Sequence, residues 1–232
     1  MARGARRSET SGRQAPESTI YYKKDFWSKE NIKYAEPHFR MRKVARLIRS
    51  RARGKQCDLL DLGCGPAALA KILPPNINYH GIDISIPEPA PNLIEADILE
   101  KPIDFRGMKF DYVVAQGLFE YLGEHQSQKL AEIAATLTQQ GKFILTYMNF
   151  DHRQRAIYWP YSNVQRPTDF QRDLNRYFKV EQRFAGSHNW NHGFPRRRVI
   201  RMPQEHLNIY VPVVSPRLAV DYFYVCTPRR QP

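Results

Sequence analysis

The thirteen residues DLLDLGCGPAALA, from Asp58 to Ala70, limit the possible folds of this chain more than any other stretch. The preceding CDLLDL reads as a buried strand, Gly63 and Gly65 follow it, and Pro66 is placed to open a helix over residues 66–73. Glycine tolerates positive φ and lets a ligand touch the backbone, and a helix start presents unpaired N–H groups. A strand that runs through glycines into a helix is therefore a cradle for part of a nucleotide. The sequence adds one oddity, a carboxylate (Asp61) two residues before the first glycine.

Strand and helix signals alternate beyond the turn. INYHGID, NLIEAD, FDYVVA and KFILTY read as strands, and SQKLAEIAATLTQQG as a helix with Leu130, Ile133, Ala134 and Leu137 on one face and Gly141 past its end. PTDFQRDLNRYF reads as a helix capped by Thr168 or Asp169, and KVEQRFAG and LAVDYFYVC as two closing strands. Such alternation predicts βαβ units and a mainly parallel sheet covered on both faces. Upstream, Met41, Val44, Ala45 and Ile48 recur at helical spacing in PHFRMRKVARLIRS, an amphipathic helix with a basic outer face.

Residues 1–18 have no apolar period and read as a disordered basic tail; 19–55 form an aromatic and helical N-terminal segment. Residues 187–217 hold four prolines without periodicity, which predicts an insertion at the sheet edge rather than a hairpin. Charge is unevenly spread. Residues 1–55 carry 16 Lys and Arg against 5 Asp and Glu, whereas residues 56–150 carry 6 against 12. The basic flanks admit a polyanion partner or a merely solvated surface. No apolar run reaches the roughly 20 residues of a membrane span. The scattered Cys57, Cys64 and Cys226 have no metal spacing and fit a reduced, cytoplasmic protein.

Gly63, Gly65 and Ala68, with Asp83 twenty residues after Gly63, have a spacing that would permit a nicotinamide dinucleotide. Asp61 argues against one, because a carboxylate there would repel a pyrophosphate by several kcal/mol, as a rough figure, in a partly desolvated site. The same acid suits a ligand with an ammonium, a sulfonium and a ribose diol, which describes S-adenosylmethionine.

DLLDLGCGPAALA resembles the first motif of the class I, Rossmann-like S-adenosylmethionine-dependent methyltransferases, and YHGIDIS, LIEADIL, FDYVVAQGLFEYL and LTQQGKFILTY resemble the family's later motifs in order. The resemblance runs from about residue 56 to 185 and resumes at the last strand. It implies a seven-stranded, mostly parallel sheet with helices on both faces and an antiparallel last strand, filling a methyltransferase domain over 56–232. It also implies roles for single residues: Asp61 toward the ammonium, Gly63, Cys64 and Gly65 in the turn, Asp83 with Ile84 at the ribose, Asp97 with Ile98 at the adenine, and Gln116 and Gly117 by the methionine part. Tyr22 and Trp27 belong to an N-terminal lid expected over that site.

For the acceptor side, His152 is the first candidate base, with Asp151 and Tyr147 behind it, because the loop after the fifth strand opens there in this family. His188 and His192 stand four apart and, with Arg196 and Arg197, are candidate substrate contacts; they lack a third ligand for zinc, so no metal is expected. Where many relatives have Glu-His, this chain has Glu120-Tyr121, so a role for that histidine does not transfer. The Asn/Asp-Pro-Pro-aromatic tetrapeptide of methyltransferases acting on base or glutamine amino groups is absent, AQGL standing in its place. The expectation is a small-molecule acceptor methylated on oxygen or nitrogen, as in secondary metabolism. RNA on the basic flanks, a non-catalytic cofactor-binding protein and a nicotinamide oxidoreductase are the alternatives.

Overall fold

The computed structural model describes residues 24–149, 165–188 and 219–229. Seven strands form one sheet: β1 (Cys57–Leu62), β2 (Ile77–Asp83), β3 (Leu93–Glu95), β4 (Phe110–Gln116), β5 (Leu137–Met148), β6 (Phe178–His188) and β7 (Ala219–Pro228). Their order is β3-β2-β1-β4-β5-β7-β6. Strands β1 to β5 pair in parallel, and β7 lies antiparallel between β5 and β6. The expected mostly parallel sheet with an antiparallel last strand is the one observed.

Among the described residues four α-helices flank it: α1 (Lys24–Glu30), α2 (Phe39–Ala52), α3 (Gln126–Thr136) and α4 (Pro167–Tyr177). On one face, α2 lays Met41, Val44, Ala45 and Ile48 against Leu59, Val114, Ile144 and Val225. Fully burying a side chain such as Val44 or Ile48 contributes about 2 kcal/mol. His38 starts this helix, its Nδ1 accepting from Arg40 N at 3.2 Å. Burial and the nearby Arg40 and Arg42 lower its pKa to about 4, so the ring is neutral and that nitrogen is free to accept. Arg53 and Gly54, both at positive φ, end the helix. On the other face, Leu130 and Ile133 of α3 and Phe170 and Leu174 of α4 pack against Leu60, Phe143 and Tyr224.

Three local expectations need correction. No α-helix follows the glycine turn; residues 66–73 hold turns and a single 3-10 turn, Ala70–Ile72. Ala67 sits at φ 53°, outside the helical region, and Pro74-Pro75 stop the chain one residue later. Helix α3 ends at Thr136, not at Gly141, and Leu137 already belongs to β5. A Cβ on Gly141 would stand 2.9 Å from Phe110 O, so that glycine serves a close strand approach across a bulge. Helix α4 starts after Arg166, which makes no side-chain capping bond, with Pro167 in its first turn, so the cap position lies two residues before the expected Thr168.

Candidate functional site: the carboxyl edge of the parallel strands

The sheet order reverses between β1 and β4, and the carboxyl ends of β1, β2, β3, β4 and β5 share one edge. In open α/β sheets a ligand crevice forms at that reversal. Gly63 and Gly65 take φ of 71° and 50°, and Gly63 N donates to Ile82 O at 2.8 Å, which locks the turn onto the end of β2. The Cys64 side chain points inward: a Cβ on Gly81 of β2 would lie 2.7 Å from its sulfur, so that strand position has room only for glycine.

Two acids face the turn. Asp83, 8% exposed, accepts from Gly65 N at 2.7 Å through Oδ2 and from Ser85 N at 2.9 Å through Oδ1. Asp61, 3% exposed, accepts from the Tyr79 hydroxyl at 2.9 Å. Burial raises its pKa to about 7; the Tyr79 bond opposes the rise and the Asp83 charge adds to it. Burial also raises Asp83, against the pull of its hydrogen bonds. Among the described residues no ion pair reaches either acid. Two buried carboxylates without a cation suit a cationic ligand and repel a diphosphate.

On the far side of the turn, Gln116 ends β4 with its buried Oε1 unpartnered. Gly117, at φ 60°, donates to Thr146 Oγ1 at 2.8 Å. Asp97 caps its own loop, accepting from Leu99 N at 2.8 Å. Ile84 and Ile98, both half-buried, follow Asp83 and Asp97.

The N-terminal segment crosses this edge. Lys24 pairs with Glu95 on β3, and Trp27 meets Tyr121 edge-on at 5.3 Å. Asn31, 4% exposed, donates through Nδ2 to Asp83 Oδ1 at 3.3 Å and to Ser85 O at 2.8 Å. The expected aromatic lid is thus a strap whose working contact is an amide. Asn31 belongs to no recognisable motif and was missed; so were Tyr79, Arg40 and Asp221, which come to the edge only through packing.

The structure brings Asp61, Gly63, Cys64, Gly65, Asp83, Asp97, Gln116 and Gly117 to one edge, while Trp27 meets Tyr121 just beyond β4. Tyr147, one residue before the end of β5, turns its side chain into the core. It is fully buried, its ring stacked on Phe170 at 3.8 Å and its hydroxyl donating to Gln165 O at 3.2 Å. Burial pushes that hydroxyl far above its ordinary pKa, so Tyr147 is a core residue and cannot serve as the expected base. His188 closes β6, paired with Ala219. Tyr22, Asp151, His152, His192, Arg196 and Arg197 lie outside the described residues, as do the tail and most of the 187–217 insertion. Among the described residues no helix is long and apolar enough to cross a membrane, and no cluster could hold a metal ion.

A reversed parallel sheet with acids at two strand ends and a glycine turn between them defines a Rossmann-like nucleoside-binding enzyme. The chain belongs to the methyltransferase-domain family, whose model it matches over residues 33–182. Among curated proteins no sequence matches. Solved structures share the fold at low identity. A chain of the Haloferax volcanii complex between the Trm112 methyltransferase activator and the putative methyltransferase is 14% identical with a TM-score of 0.60, covering 92% of this chain and 99% of that one. The CcbJ methyltransferase of Streptomyces caelestis is 14% identical at 0.58, covering 84% and 91%. The N-methyltransferase NodS of Bradyrhizobium japonicum, in complex with S-adenosylhomocysteine, is 13% identical at 0.56, covering 88% and 99%. The cofactor is S-adenosylmethionine, and the uncompensated acids and the unpartnered Gln116 Oε1 fit it.

Proposed function

We propose that this methyltransferase acts on a small molecule carrying a hydroxyl or amine, and methylates that oxygen or nitrogen. The observation that carries the reading is the acidity of the edge. Asp61, Asp83, Glu95, Asp97 and Glu120 stand at or just beyond the ends of β1, β2, β3 and β4, and Asp221 at the start of β7 beside the end of β5. A negatively lined crevice accommodates a neutral or cationic acceptor and opposes a phosphate backbone. When bound, S-adenosylmethionine supplies an already activated methyl group. The protein then has to align the nucleophile, keep water out and receive a proton.

Asp83 is placed to hold the ribose diol and Asp61 the ammonium, with Gln116 and Gly117 beside the methionine part. The test is transfer of a labelled methyl group to a panel of small hydroxy and amino compounds, with total RNA as a parallel acceptor. Label in small molecules and none in RNA is the expected outcome.

The exposed outer face of α2, with Arg42 and Arg49 and with Arg53 just past its end, favours a second reading in which RNA is the acceptor. Label in RNA, with binding that weakens steeply as salt rises, would replace the first reading.

A further inference from the structure

We propose that Glu120 is a catalytic residue, whose Oε2 takes the proton that the acceptor's hydroxyl or amine gives up as it is methylated. The assignment deepens the methyltransferase reading and rests on it.

Its place comes first. On that reading Asp61, Asp83 and Asp97 serve the cofactor and Gln116 and Gly117 its methionine part, which leaves the segment after Gly117, the end of β5 and the start of β7 for the acceptor. Glu120 stands on that part, in the 3-10 turn Phe119–Tyr121 just beyond β4. The same segment touches the glycine turn, since Leu118 lies 3.4 Å from the position a Gly63 Cβ would take. Glu120 is thus three residues from Gly117, between the cofactor cradle and the end of β5.

Its hydrogen bonding comes next. Glu120 is 4% exposed; Oε1 accepts from Met148 N at 2.7 Å, while Oε2 is buried and without a partner. A carboxylate needed only to brace the end of β5 uses one oxygen. The second is desolvated and idle, a state that buried polar groups rarely occupy without a functional reason.

The neighbours set its proton affinity. Among the described residues, Arg40 of α2 and Asp221 of β7 are the charged groups facing it, and Tyr147 of β5 the other titratable one. Arg40 Nε lies 3.3 Å from Asp221 Oδ2, so its charge is already engaged by a second acid. Burial raises Glu120, Arg40 opposes the rise and Asp221 adds to it, leaving its pKa at about 7. Tyr147 stays neutral, its hydroxyl far above the ordinary range. Among the described residues of this part of the edge, Glu120 is therefore the one placed to exchange a proton near neutral pH, where a general base works best.

The step balances. A lone pair of the acceptor's oxygen or nitrogen forms the bond to the methyl carbon, and the electron pair of the breaking carbon–sulfur bond stays on sulfur. The acceptor's proton passes to Glu120 Oε2, and solvent receives it afterwards.

A test that needs no knowledge of the acceptor compares two cofactor analogues by isothermal titration. Sinefungin bears an ammonium where the reactive methyl would be, and S-adenosylhomocysteine bears nothing there. Both carry the amino-acid ammonium, so titration of Asp61 cancels in their ratio. The wild-type protein is expected to prefer sinefungin about tenfold at pH 8 and not at pH 6. Glu120→Gln is expected to bind S-adenosylhomocysteine within about twofold of wild type and to lose the preference at both pH values. A preference that persists in Glu120→Gln, or that ignores pH in the wild type, overturns the assignment. Equal loss of both ligands in the variant also overturns it, because the role is then structural. Absence of S-adenosylhomocysteine binding in the wild type instead overturns the cofactor reading, and this proposal falls with it.

Discussion

Asp83 holds its position before any ligand arrives, because Gly65 N, Ser85 N and Asn31 Nδ2 all donate to it. Preorganised carboxylates lose little order when a diol replaces one donor, and charge-assisted bonds to a carboxylate are the strong ones. Asp83→Ala should therefore weaken S-adenosylhomocysteine binding by at least about tenfold, or roughly 1.4 kcal/mol. Unchanged affinity in a folded variant, measured by calorimetry, would remove Asp83 from the ribose. Asp61 makes a different prediction. Its pKa of about 7 without ligand means it is partly protonated near neutrality, and a cationic ligand favours the ionised form. Binding should release a proton below about pH 7, and affinity should climb with pH up to that point and level off above it. Calorimetry in buffers of different ionisation enthalpy reads this directly, and Asp61→Asn should abolish the release. Both acids and the glycines were legible because short-range spacing encodes a strand-turn junction. Tyr79 and Asn31 were not, since each meets its partner across 18 and 52 residues of intervening chain.

At the scale of elements, the strap from α1 to Asn31 ties β3, β2 and the segment after β4 together through three unlike contacts. Asn31→Asp would set a carboxylate against Asp83 in a buried place, where like charges repel strongly. The strap should then lift, and S-adenosylhomocysteine should dissociate at least about fivefold faster in stopped-flow displacement. A wild-type dissociation rate in Asn31→Asp would mean the strap has no part in retention. The alternation of strands and helices was readable from the pattern, whereas element boundaries were not. SQKLAEIAATLTQQG keeps a helical period up to Leu137, yet the pairing of Leu137 with Phe110 draws that residue into β5. Tertiary pairing overrode local propensity there. Gly141 records the cost of that pairing. Gly141→Ala would press a methyl group against Phe110 O and Thr138 O, both backbone atoms that cannot swing aside. A loss of about 1–3 kcal/mol is expected from denaturant midpoints.

For the whole molecule, burying acids makes stability depend on pH in an unusual sense. Asp61 and Glu120 both keep their protons to about pH 7 when folded and release them near pH 4 when unfolded. The folded state then binds more protons than the unfolded one across that window, so stability falls as pH rises through it and levels off above pH 7. His38 acts oppositely: its folded pKa of about 4 makes stability rise with pH up to about 6.5. Two acids outweigh one imidazole. The melting temperature of the ligand-free protein should therefore drop between pH 5 and 7, and the drop should shrink in Asp61→Asn. A melting curve independent of pH over that range would show that the acids are already ionised in the folded chain.

The insertion of β7 between β5 and β6 sets an order of events during synthesis. A ribosome delivers the glycine turn, Asp61 and Asp83 early, together with every strand that supports them. Strand β6 emerges with no neighbour to join, because the ten residues that separate it from β5 are made after it. The nascent chain therefore has the means to grip a nucleoside long before Asp221 arrives to finish the other half of its crevice.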